Sequence, residues 1–568
     1  MFQSLPSSLT NSLNSLSFLQ DSPKLSFRTS NDGIAKFIGK DLIDENDEEF
    51  WTKFYKLFDS TEDVYTLISQ NDIRIGLNNN KLNVYTLIQK LTKKLRLVIY
   101  DKGVDKVNEV KECLNCCRVL SRVLPIIYES GYFNDIWDVS FIDNNSNNDQ
   151  YLNEGDAFVI DDDGDDNNNE HNKNDDNKTA KLMDVLISSL IDCLFSIGVC
   201  MPDECIAPPQ VNADDRIPIS HLIWTRGVGS SNTLSSSPSL QSNRSVVLST
   251  ILSAVSQCLY TQPDQIYTVI DITSKPFNSL PRKTTLTLLC SLLNTSLDIN
   301  SKPSPVRLLS PPSKEEQALP HLCMQLLLLL LNTDDGNFSK FFSKLHRNQD
   351  LNFIFDNVLN LINVNMANNN NNTFIKSSIQ TLAKPSSIPS LFECWLLLWR
   401  LVDLNKKVDN YFHESEYLYK IINNLVSTIA DFKDKKEYSN LIRLLVSFLQ
   451  TLSTYSAIKV VVDNPSSDNP NATMGDLIVN TVYSIVCTPA LQANVYSSGL
   501  MSLTNMSPFI KHLSQISSIK LLSMYKAFSS PFFLLADDSN PRYLFWILEV
   551  FNGIIHNELN SKFEMVLI

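Results

Sequence analysis

The sequence predicts an all-α protein, either an irregular α-solenoid of the HEAT or armadillo type or a large helical array with disordered polar insertions. Apolar residues recur at spacings of three and four in long blocks such as 113–128 and 543–559, which is the spacing of one helix face. In 568 residues, 14 glycines and 24 prolines are too few for a fold with frequent tight turns. No fixed repeat period is present, so the predicted stack is irregular.

Each apolar block predicts one helix with a buried face. In the block at 113–128, Cys113, Cys116 and Leu120 share a face, and Pro125 is expected to kink or end the helix. Further blocks of this kind lie at 50–58, 182–197, 246–260, 284–293, 319–331, 353–362, 391–404, 417–429, 438–452, 476–486, 519–528 and 543–559.

Polar stretches between these blocks divide the chain into sections. Residues 143–178 contain 12 acidic residues against two lysines, so most of the chain's net charge of -14 lies there. Such a polar, low-complexity segment cannot bury enough apolar surface to fold and is predicted to be disordered. The predicted sections are the N-terminal segment 1–30, helical sections 31–142, 181–366 and 374–568, the acidic insert 143–180, and an Asn-rich loop at 367–373.

The composition also bears on compartment and partners. Outside the acidic insert the chain is nearly neutral and has no dense basic stripe, so no nucleic-acid partner is predicted. Eleven cysteines without framework spacing are typical of free thiols in a reducing compartment. The N-terminus lacks the pattern of a secretory signal, and the most apolar run, 322–331, is about half of the roughly 20 residues that cross a bilayer. We therefore expect a cytosolic chain.

Residues that catalyse reactions or bind metals form no complete motif in the sequence. Cys113 and Cys116 make a C-x-x-C, but no second ligand pair follows at suitable spacing, so core packing is the favoured interpretation. In the acidic insert, Asp161 and Glu170 fit part of a calcium-loop register, but Val159 occupies the first ligand position. Phosphate-binding loops and a nucleophile elbow are missing. We predict no enzymatic activity, cofactor, metal or small-molecule substrate, and we nominate no catalytic, cofactor-binding or metal residue.

A pattern of apolar residues near the N-terminus predicts a membrane contact. Its apolar stripe consists of Phe2, Leu5, Leu9, Leu13, Leu16 and Leu19. Ser and Asn fill the positions between, and Pro6 falls in the first turn, so a helix here would place the stripe opposite an uncharged face. Binding would then depend on inserting apolar side chains into loosely packed, curved membranes such as Golgi vesicles. The alternatives are a disordered Ser-rich tail or a helix that docks on the protein itself.

Several stretches, in order from about residue 24 to the C-terminus, are similar to those of one known family. They are KLSFR at 24–28, FWTKF at 50–54, LNCCRVLSRVLPIIY at 114–128, IWTRGVG at 223–229, SLLNT at 291–295, FSKLHR at 342–347, WRLVDLNKK at 399–407, NMSPFIK at 505–511 and LFWILEVFNGII at 544–555. The chain resembles the high-temperature-induced dauer formation protein family, related to dymeclin. The stretches are mostly core-helix signatures, so they identify a fold and not a ligand.

The resemblance implies a non-enzymatic cytosolic protein that associates peripherally with Golgi membranes. Relatives act in sorting cargo at the trans-Golgi network and in forming secretory vesicles, so protein partners of the secretory pathway are expected. Family members commonly begin with Met-Gly and are thought to be lipidated there. Because Phe2 replaces that glycine, we expect no N-myristoylation, and the apolar stripe at 2–19 is the proposed substitute for the lipid. The family usually continues beyond the region matching 543–559, so we expect a C-terminal portion of the family to be absent or truncated here.

Two other functions stay open on the sequence alone. A cytosolic helical-repeat adaptor without a membrane role would have the same helices and would remain in the cytosolic fraction after gentle lysis. An enzyme could assemble its site from residues scattered over a helical fold, and reproducible turnover of a substrate would support it.

Overall fold

The structure is a computed structural model that describes residues 23–100, 106–141, 180–205, 219–298, 314–333, 335–370, 389–465, 472–488, 491 and 493–566. Within these residues the regular elements are helices, and β pairing is limited to isolated bridges such as that between Ser140 and Lys181. The predicted all-α class is confirmed. The chain divides into two compact units, Met1–Ser296 with Lys302–Phe338, and Leu297–Ser301 with Ser339–Ile568.

The first unit is built on two long helices and a buried one. Its helices are α1 (Pro23–Thr29), α2 (Ile34–Phe37), α3 (Glu48–Trp51), α4 (Lys53–Lys56), α5 (Thr61–Leu67), α6 (Gln70–Tyr100), α7 (Lys106–Glu129), α8 (Phe133–Asp138), α9 (Leu182–Phe195), α10 (Pro238–Ala254), α11 (Ile266–Asn278), α12 (Arg282–Leu297) and α13 (Lys314–Leu330). Helix α7 packs on α4, α6 and α10, and α10 packs on α13. Most side chains of α9 are buried, so it lies in the core of this unit.

Helix α7 carries the longest family-like stretch and continues through Pro125 to Glu129. Of the two expected effects of Pro125, a kink or an end of the helix, the second is therefore excluded. Proline removes one helical hydrogen bond, but Ile127 and the residues beside it are buried and hold the last turn in place. Gly131, with a φ of +83°, lies just after the end of the helix. The Tyr132 N–H then reaches back to the Ile127 carbonyl at 3.1 Å, a Schellman ending.

Helix α6 is two helices joined at Asn80. The φ and ψ of Asn80 are -155° and 90°, far from helical values. Its side-chain oxygen accepts a hydrogen bond from the Leu82 N–H at 3.2 Å, as an N-cap residue does. The Asn-rich run at 78–80 thus ends one helix and starts a second within Gln70–Tyr100.

The second unit consists of helix pairs stacked in two rows. Its helices are α14 (Asn337–Ser343, which begins in the first unit), α15 (Asn348–Asn370), α16 (Leu391–Leu404), α17 (Val408–Glu414), α18 (Tyr417–Phe432), α19 (Ser439–Leu452), α20 (Ile458–Val461), α21 (Met474–Val486), α22 (Ala493–Met506), α23 (Gln515–Phe528), α24 (Pro531–Ala536) and α25 (Pro541–Val566). Helices α15, α18, α21 and α23 pack on one another in that order. Helices α16, α19, α22 and α25 form the second row, and each packs on its neighbour in the first.

The predicted helical blocks lie largely on observed helices. The block at 246–260 is divided between α10, which ends at Ala254, and a 3₁₀ helix at Ser256–Tyr260. The block at 50–58 forms two short helices, α3 and α4, in place of one, although Thr52 between them keeps helical dihedrals. The Asn-rich loop predicted at 367–373 is wrong for residues 367–370, because α15 continues to Asn370. Extending an existing helix costs far less free energy than starting one. The solenoid form stays a prediction, and the insert at 143–179 lies outside the described residues.

Candidate functional site

The family-like stretches of the first unit meet one another in its core. The Asn115 amide nitrogen donates to the carbonyl oxygens of Tyr55 and Phe58 at 2.9 and 2.6 Å. The rings of Phe27 and Phe54 pack edge to face with centroids 5.3 Å apart. The first three stretches therefore form one packed region. Their residues are fixed by packing and by backbone hydrogen bonds, as core-helix signatures should be.

The IWTRGVG stretch is a loop that is held to α12 by hydrogen bonds with the side chains of Ser291, Thr295 and above all Asn294. The Asn294 amide nitrogen donates to the carbonyl oxygens of Thr225 and Val228 at 2.9 and 3.0 Å. The Asn294 side-chain oxygen accepts from the Val228 N–H at 2.9 Å. Asn294 is fully buried, so these bonds satisfy polar groups that water cannot reach. Two further family-like stretches, 223–229 and 291–295, thus pair with each other.

Beneath this loop, Arg244 of α10 is buried without an acidic partner in the described part of the chain. Its Nε donates to the Cys200 carbonyl oxygen at 3.0 Å, and its guanidinium lies 4.6 Å from the Trp224 ring centroid. Burial lowers the pKa of Arg244. An arginine stacked on an aromatic ring and bonded to a carbonyl oxygen fixes the position of the loop. We assign it a structural role.

The C-x-x-C cysteines lie in the core. Cys113 and Cys116 are fully buried on α7, and Cys113 Sγ is 3.6 Å from Cys193 Sγ. Hydrogen bonds from the Cys117 and Cys193 thiols lower the pKa of Cys113, whereas burial raises the pKa of Cys116. Within the described ranges no group of three or more His, Cys, Asp or Glu residues is placed to hold a metal ion. The thiols contribute to helix packing.

An open groove in the second unit is the candidate binding site. It has a volume of about 380 Å³, within the usual range of ligand pockets. Its lining residues are Phe412, His413, Ser415, Glu416, Tyr419, Ala457, Val460, Val461, Asn464 and Pro465. Phe412, Ala457 and Val461 are buried and form an apolar floor, whereas Val460 is 59% exposed. The groove therefore offers apolar contacts with polar groups at its edge.

Aromatic side chains hold the α17 side of the groove in place. The Tyr411 ring stacks on the Phe355 ring of α15 with centroids 5.6 Å apart. The Tyr417 hydroxyl donates to the Asp356 carboxylate at 2.6 Å. Across the groove, the Tyr419 hydroxyl donates to the Pro465 carbonyl oxygen at 2.9 Å. These contacts fix the turn between α17 and α18, so the groove has a defined shape.

Ser456, His413 and Asp409 lie together beside the groove, but their order differs from that of a hydrolase. The Ser456 hydroxyl is 2.6 Å from His413 Nε2 and hydrogen-bonds to both Asp409 carboxylate oxygens at 3.2 and 3.1 Å. The closest Asp409 oxygen is 4.0 Å from the same His413 Nε2. In a catalytic triad the histidine separates the serine from the acid by using both ring nitrogens. Here the serine lies between them, which fits a helix-end hydrogen-bond cluster.

The membrane contact predicted from the sequence stays a prediction. Phe2, Leu5, Leu9, Leu13, Leu16 and Leu19 all lie outside the described residues. In the described part of the chain, no helix combines the length and apolar character needed to cross a membrane. The groove was not predicted from the sequence, because its walls come from α17 and from α20, more than 40 positions later.

Fold and groove together define a large all-α protein with a surface groove in its second unit. The family model for the high-temperature-induced dauer-formation protein matches residues 20–567, and the chain belongs to that family. The resemblance predicted from the sequence is confirmed.

The relatives match over most of this chain. "Protein HID1" of Mus musculus and that of Homo sapiens are each 24% identical over 92% of the chain. "Ubp5-interacting protein ftp105" of Schizosaccharomyces pombe is 22% identical over 95% of it. The chain spans 67% of the length of the two mammalian relatives and 65% of the yeast one. No solved structure matches the chain.

Proposed function

We propose that this protein is a non-enzymatic scaffold that associates peripherally with Golgi or trans-Golgi membranes and binds partner proteins during secretory sorting and vesicle formation. The observation that carries the scaffold part is the groove between α17 and α20. Its apolar floor of Phe412, Ala457 and Val461 suits an apolar side chain of a bound segment. His413 and Glu416 at its edge supply hydrogen-bonding groups.

The name of one relative also supports the proposal of partner binding. The Schizosaccharomyces pombe relative is named as an Ubp5-interacting protein, so at least one family member binds another protein. The cluster of Ser456, His413 and Asp409 beside the groove has the wrong order for acyl transfer, which favours binding over catalysis. Groove-lining polar groups would then contact the partner.

The membrane part of the proposal concerns residues 1–20. An apolar stripe opposite a Ser and Asn face would bind loosely packed membranes by insertion of its leucines. The test compares the tagged full-length chain with a variant in which Leu5, Leu9, Leu13 and Leu16 are changed to Ser. The matched control changes Ser4, Ser8 and Ser12 to Asn, which keeps the stripe.

If the Leu variant loses the Golgi signal and the Ser variant keeps it, the result would support both the Golgi location and membrane binding by the apolar stripe. Golgi signal in every variant would support the Golgi location and contradict the hypothesis that the apolar stripe binds the membrane. Diffuse signal in every variant would contradict the proposal and favour a cytosolic helical-repeat adaptor.

The groove is tested separately by Val460→Asp, which places a charge on its exposed apolar edge. We expect the variant to remain folded and to lose partners that the wild-type chain retains by affinity purification. Phe392→Asp, an exposed site on α16, is the matched control. An unchanged set of partners in Val460→Asp would exclude this groove as the binding site.

A further inference from the structure

Four buried cysteine side chains in the first unit form a connected row, which we call the thiol row. It consists of Cys117 and Cys113 on α7, Cys193 on α9, and Cys200, which lies shortly after the end of α9. The Cys113 and Cys193 sulfurs lie 3.6 Å apart. Cys113 also shares a hydrogen bond with Cys117, and Cys193 shares one with Cys200. Each thiol of the row therefore contacts the next.

The thiol row is closed to solvent. All four side chains are fully buried. Within the described ranges, no group of three or more His, Cys, Asp or Glu residues is placed to hold a metal ion. The reaction that two adjacent thiols share is oxidation to a disulfide. Because the sulfurs have no exposed surface, an oxidant that reaches them in the folded chain must be small and uncharged, as hydrogen peroxide is.

The contact between Cys113 and Cys193 joins two different helices. A disulfide bond is about 2.0 Å long, so the two sulfurs need to approach each other by about 1.6 Å. Adjustment of the two side-chain torsion angles, with a small shift of α9 toward α7, supplies this approach. A bond between Cys113 and Cys117 would instead join neighbours on α7 and constrain a single helical turn. Only the bond to Cys193 would connect distant parts of the chain to this helix.

The thiol row also gives the two members of this pair different reactivity. Hydrogen bonds from the Cys117 and Cys193 thiols lower the pKa of Cys113. Hydrogen bonds with Cys113 and Cys200 raise the pKa of Cys193. The thiolate is the form of cysteine that reacts with oxidants. Cys113 is therefore the thiol that is oxidised first, and Cys193 is the thiol that completes the bond.

We propose that Cys113 and Cys193 are a redox-sensitive pair, which hydrogen peroxide converts to a disulfide in the folded protein and which then stabilises the first unit. The Cys113 sulfur attacks one peroxide oxygen and the O–O bond breaks. Cys113 becomes a sulfenic acid, and the departing oxygen takes the Cys113 proton and leaves as water. The Cys193 sulfur then attacks the Cys113 sulfur, and the Cys193 proton leaves with the sulfenic hydroxyl as a second water. Two thiols are oxidised and one peroxide is reduced.

The bond would link α7 covalently to α9 across the acidic insert at 143–180. Its two residues are 80 positions apart. A cross-link over a loop of this length stabilises a protein mainly by reducing the conformational entropy of the unfolded chain. Oxidation should therefore stabilise the first unit, and a reductant should reverse the effect. The pair belongs to the core of the first unit, so this proposal is independent of any Golgi role and of the groove.

The test treats the purified full chain with hydrogen peroxide under folding conditions, alkylates the remaining thiols in denaturant, and locates disulfides by mass spectrometry of peptides. We expect the bond between Cys113 and Cys193 to predominate. The melting temperature should rise by about 5 °C or more, and dithiothreitol should reverse both changes. Cys193→Ala should lose both. The matched control, Cys323→Ala, removes a fully buried thiol of α13 and should respond like the wild type.

The wild-type result decides the proposal even if a variant fails to fold. Absence of the bond between Cys113 and Cys193 after peroxide treatment would overturn it, and so would a different predominant pair, such as Cys113 with Cys117. Oxidised glutathione is too large to reach these thiols in the folded chain. Equal formation of the bond with oxidised glutathione would show that it forms in unfolded molecules, against the proposal. An unchanged or lowered melting temperature of the oxidised chain would exclude the stabilising role and contradict the proposal.

Discussion

The side-chain amide of Asn294 makes two hydrogen bonds with the backbone of Val228, one in each direction, at 2.9 and 3.0 Å. The two residues are 66 positions apart. The buried Asn294 amide thus provides hydrogen-bond partners for both the N–H and the carbonyl oxygen of Val228. Val228 lies in a loop, so no helix supplies these partners. The same kind of contact recurs at Asn115 and Asn405, where a buried asparagine binds the carbonyl oxygen of a distant segment.

Replacing Asn294 with alanine should destabilise the first unit. The change leaves buried backbone groups of Thr225 and Val228 without partners, at an expected cost of about 2 to 4 kcal/mol in the free energy of unfolding. Urea unfolding followed by circular dichroism measures it. Asn232→Ala, at an exposed position of the neighbouring loop, should change stability by less than about 0.5 kcal/mol. Equal stability of both variants would show that the loop does not depend on Asn294.

In the second unit, Asn405→Asp should lower stability in a pH-dependent way. The Asn405 amide nitrogen donates to the Leu345 carbonyl oxygen at 2.6 Å, and its side-chain oxygen accepts from the Lys407 N–H at 3.1 Å. Aspartate keeps the acceptor but places an oxygen against a carbonyl oxygen. Burial would raise the pKa of the new carboxyl group, because the charged form loses its hydration.

A carboxyl group with a raised folded-state pKa destabilises the protein as pH rises through the unfolded value. The melting temperature of Asn405→Asp should therefore fall further below wild type at neutral pH than in mild acid. Asn410→Asp, on the exposed side of α17, should show no such trend. If the melting temperature of Asn405→Asp lies equally far below wild type at every pH, the new carboxyl group does not have a raised pKa.

Gly553 on α25 allows the helix to approach the Ser507–Phe509 turn. A Cβ added at Gly553 would lie 2.1 Å from Ser507 Oγ and 2.9 Å from Ser507 Cβ. Alanine normally stabilises a helix relative to glycine by about 1 kcal/mol. Here we expect Gly553→Ala to destabilise the protein by about 1 to 3 kcal/mol, because the contact is overpacked.

A double-mutant cycle tests this contact. Ser507→Gly removes the obstructing atoms, so the double variant with Gly553→Ala should be more stable than the sum of the two single changes predicts, by about 1 kcal/mol or more. Thermal unfolding of the four proteins gives the coupling energy. Additive effects, or a Gly553→Ala variant that is more stable than wild type, would show that α25 does not pack as described.

Asp476 links stability to pH in the acid range. Although burial by itself raises the pKa of Asp476, hydrogen bonds from Ser517, Ser514 and Thr473 lower it below the ordinary value of 3.8. The closest of these is the Ser514 N–H at 2.8 Å. A depressed pKa means that the carboxylate stabilises the folded state above pH 3.8, and that this contribution is lost as pH falls further.

Asp476→Asn should therefore reduce stability at neutral pH and flatten the loss of stability in acid. The measurement is the urea midpoint as a function of pH from about 6 to about 2.5. Asp264→Asn, an exposed site before α11, should follow the wild-type curve. A steep acid transition that is identical in Asp476→Asn and wild type would exclude this residue as a source of the pH dependence.

Local sequence determined the helices because their signals are local. For α16 the predicted and observed bounds coincide at Leu391–Leu404. Its apolar residues recur at helical spacing, and Ser390 with Glu393 forms a capping box at its start. The Asn-rich end of α15 was misassigned for a related reason. Asparagine has weak helix propensity, but a helix already formed and packed continues through it.

The family was also predicted from the sequence, because stretches such as IWTRGVG and SLLNT are similar to those of known family members. The contact between these two stretches could not be predicted from the sequence. That Asn294 of one stretch binds Val228 of the other depends on the path of the chain between them. Side-chain geometry at this distance in sequence leaves no periodic signal.

The sequence by itself determined the all-α class, the helices at its long apolar blocks, and the family. Only the tertiary structure decided the groove between Phe412 and Val460, the order of Ser456, His413 and Asp409, and the exposure of Phe532 and Leu535. The physical reason is that an apolar residue at helical spacing predicts a face, whereas what covers that face is set by which helices pack on it.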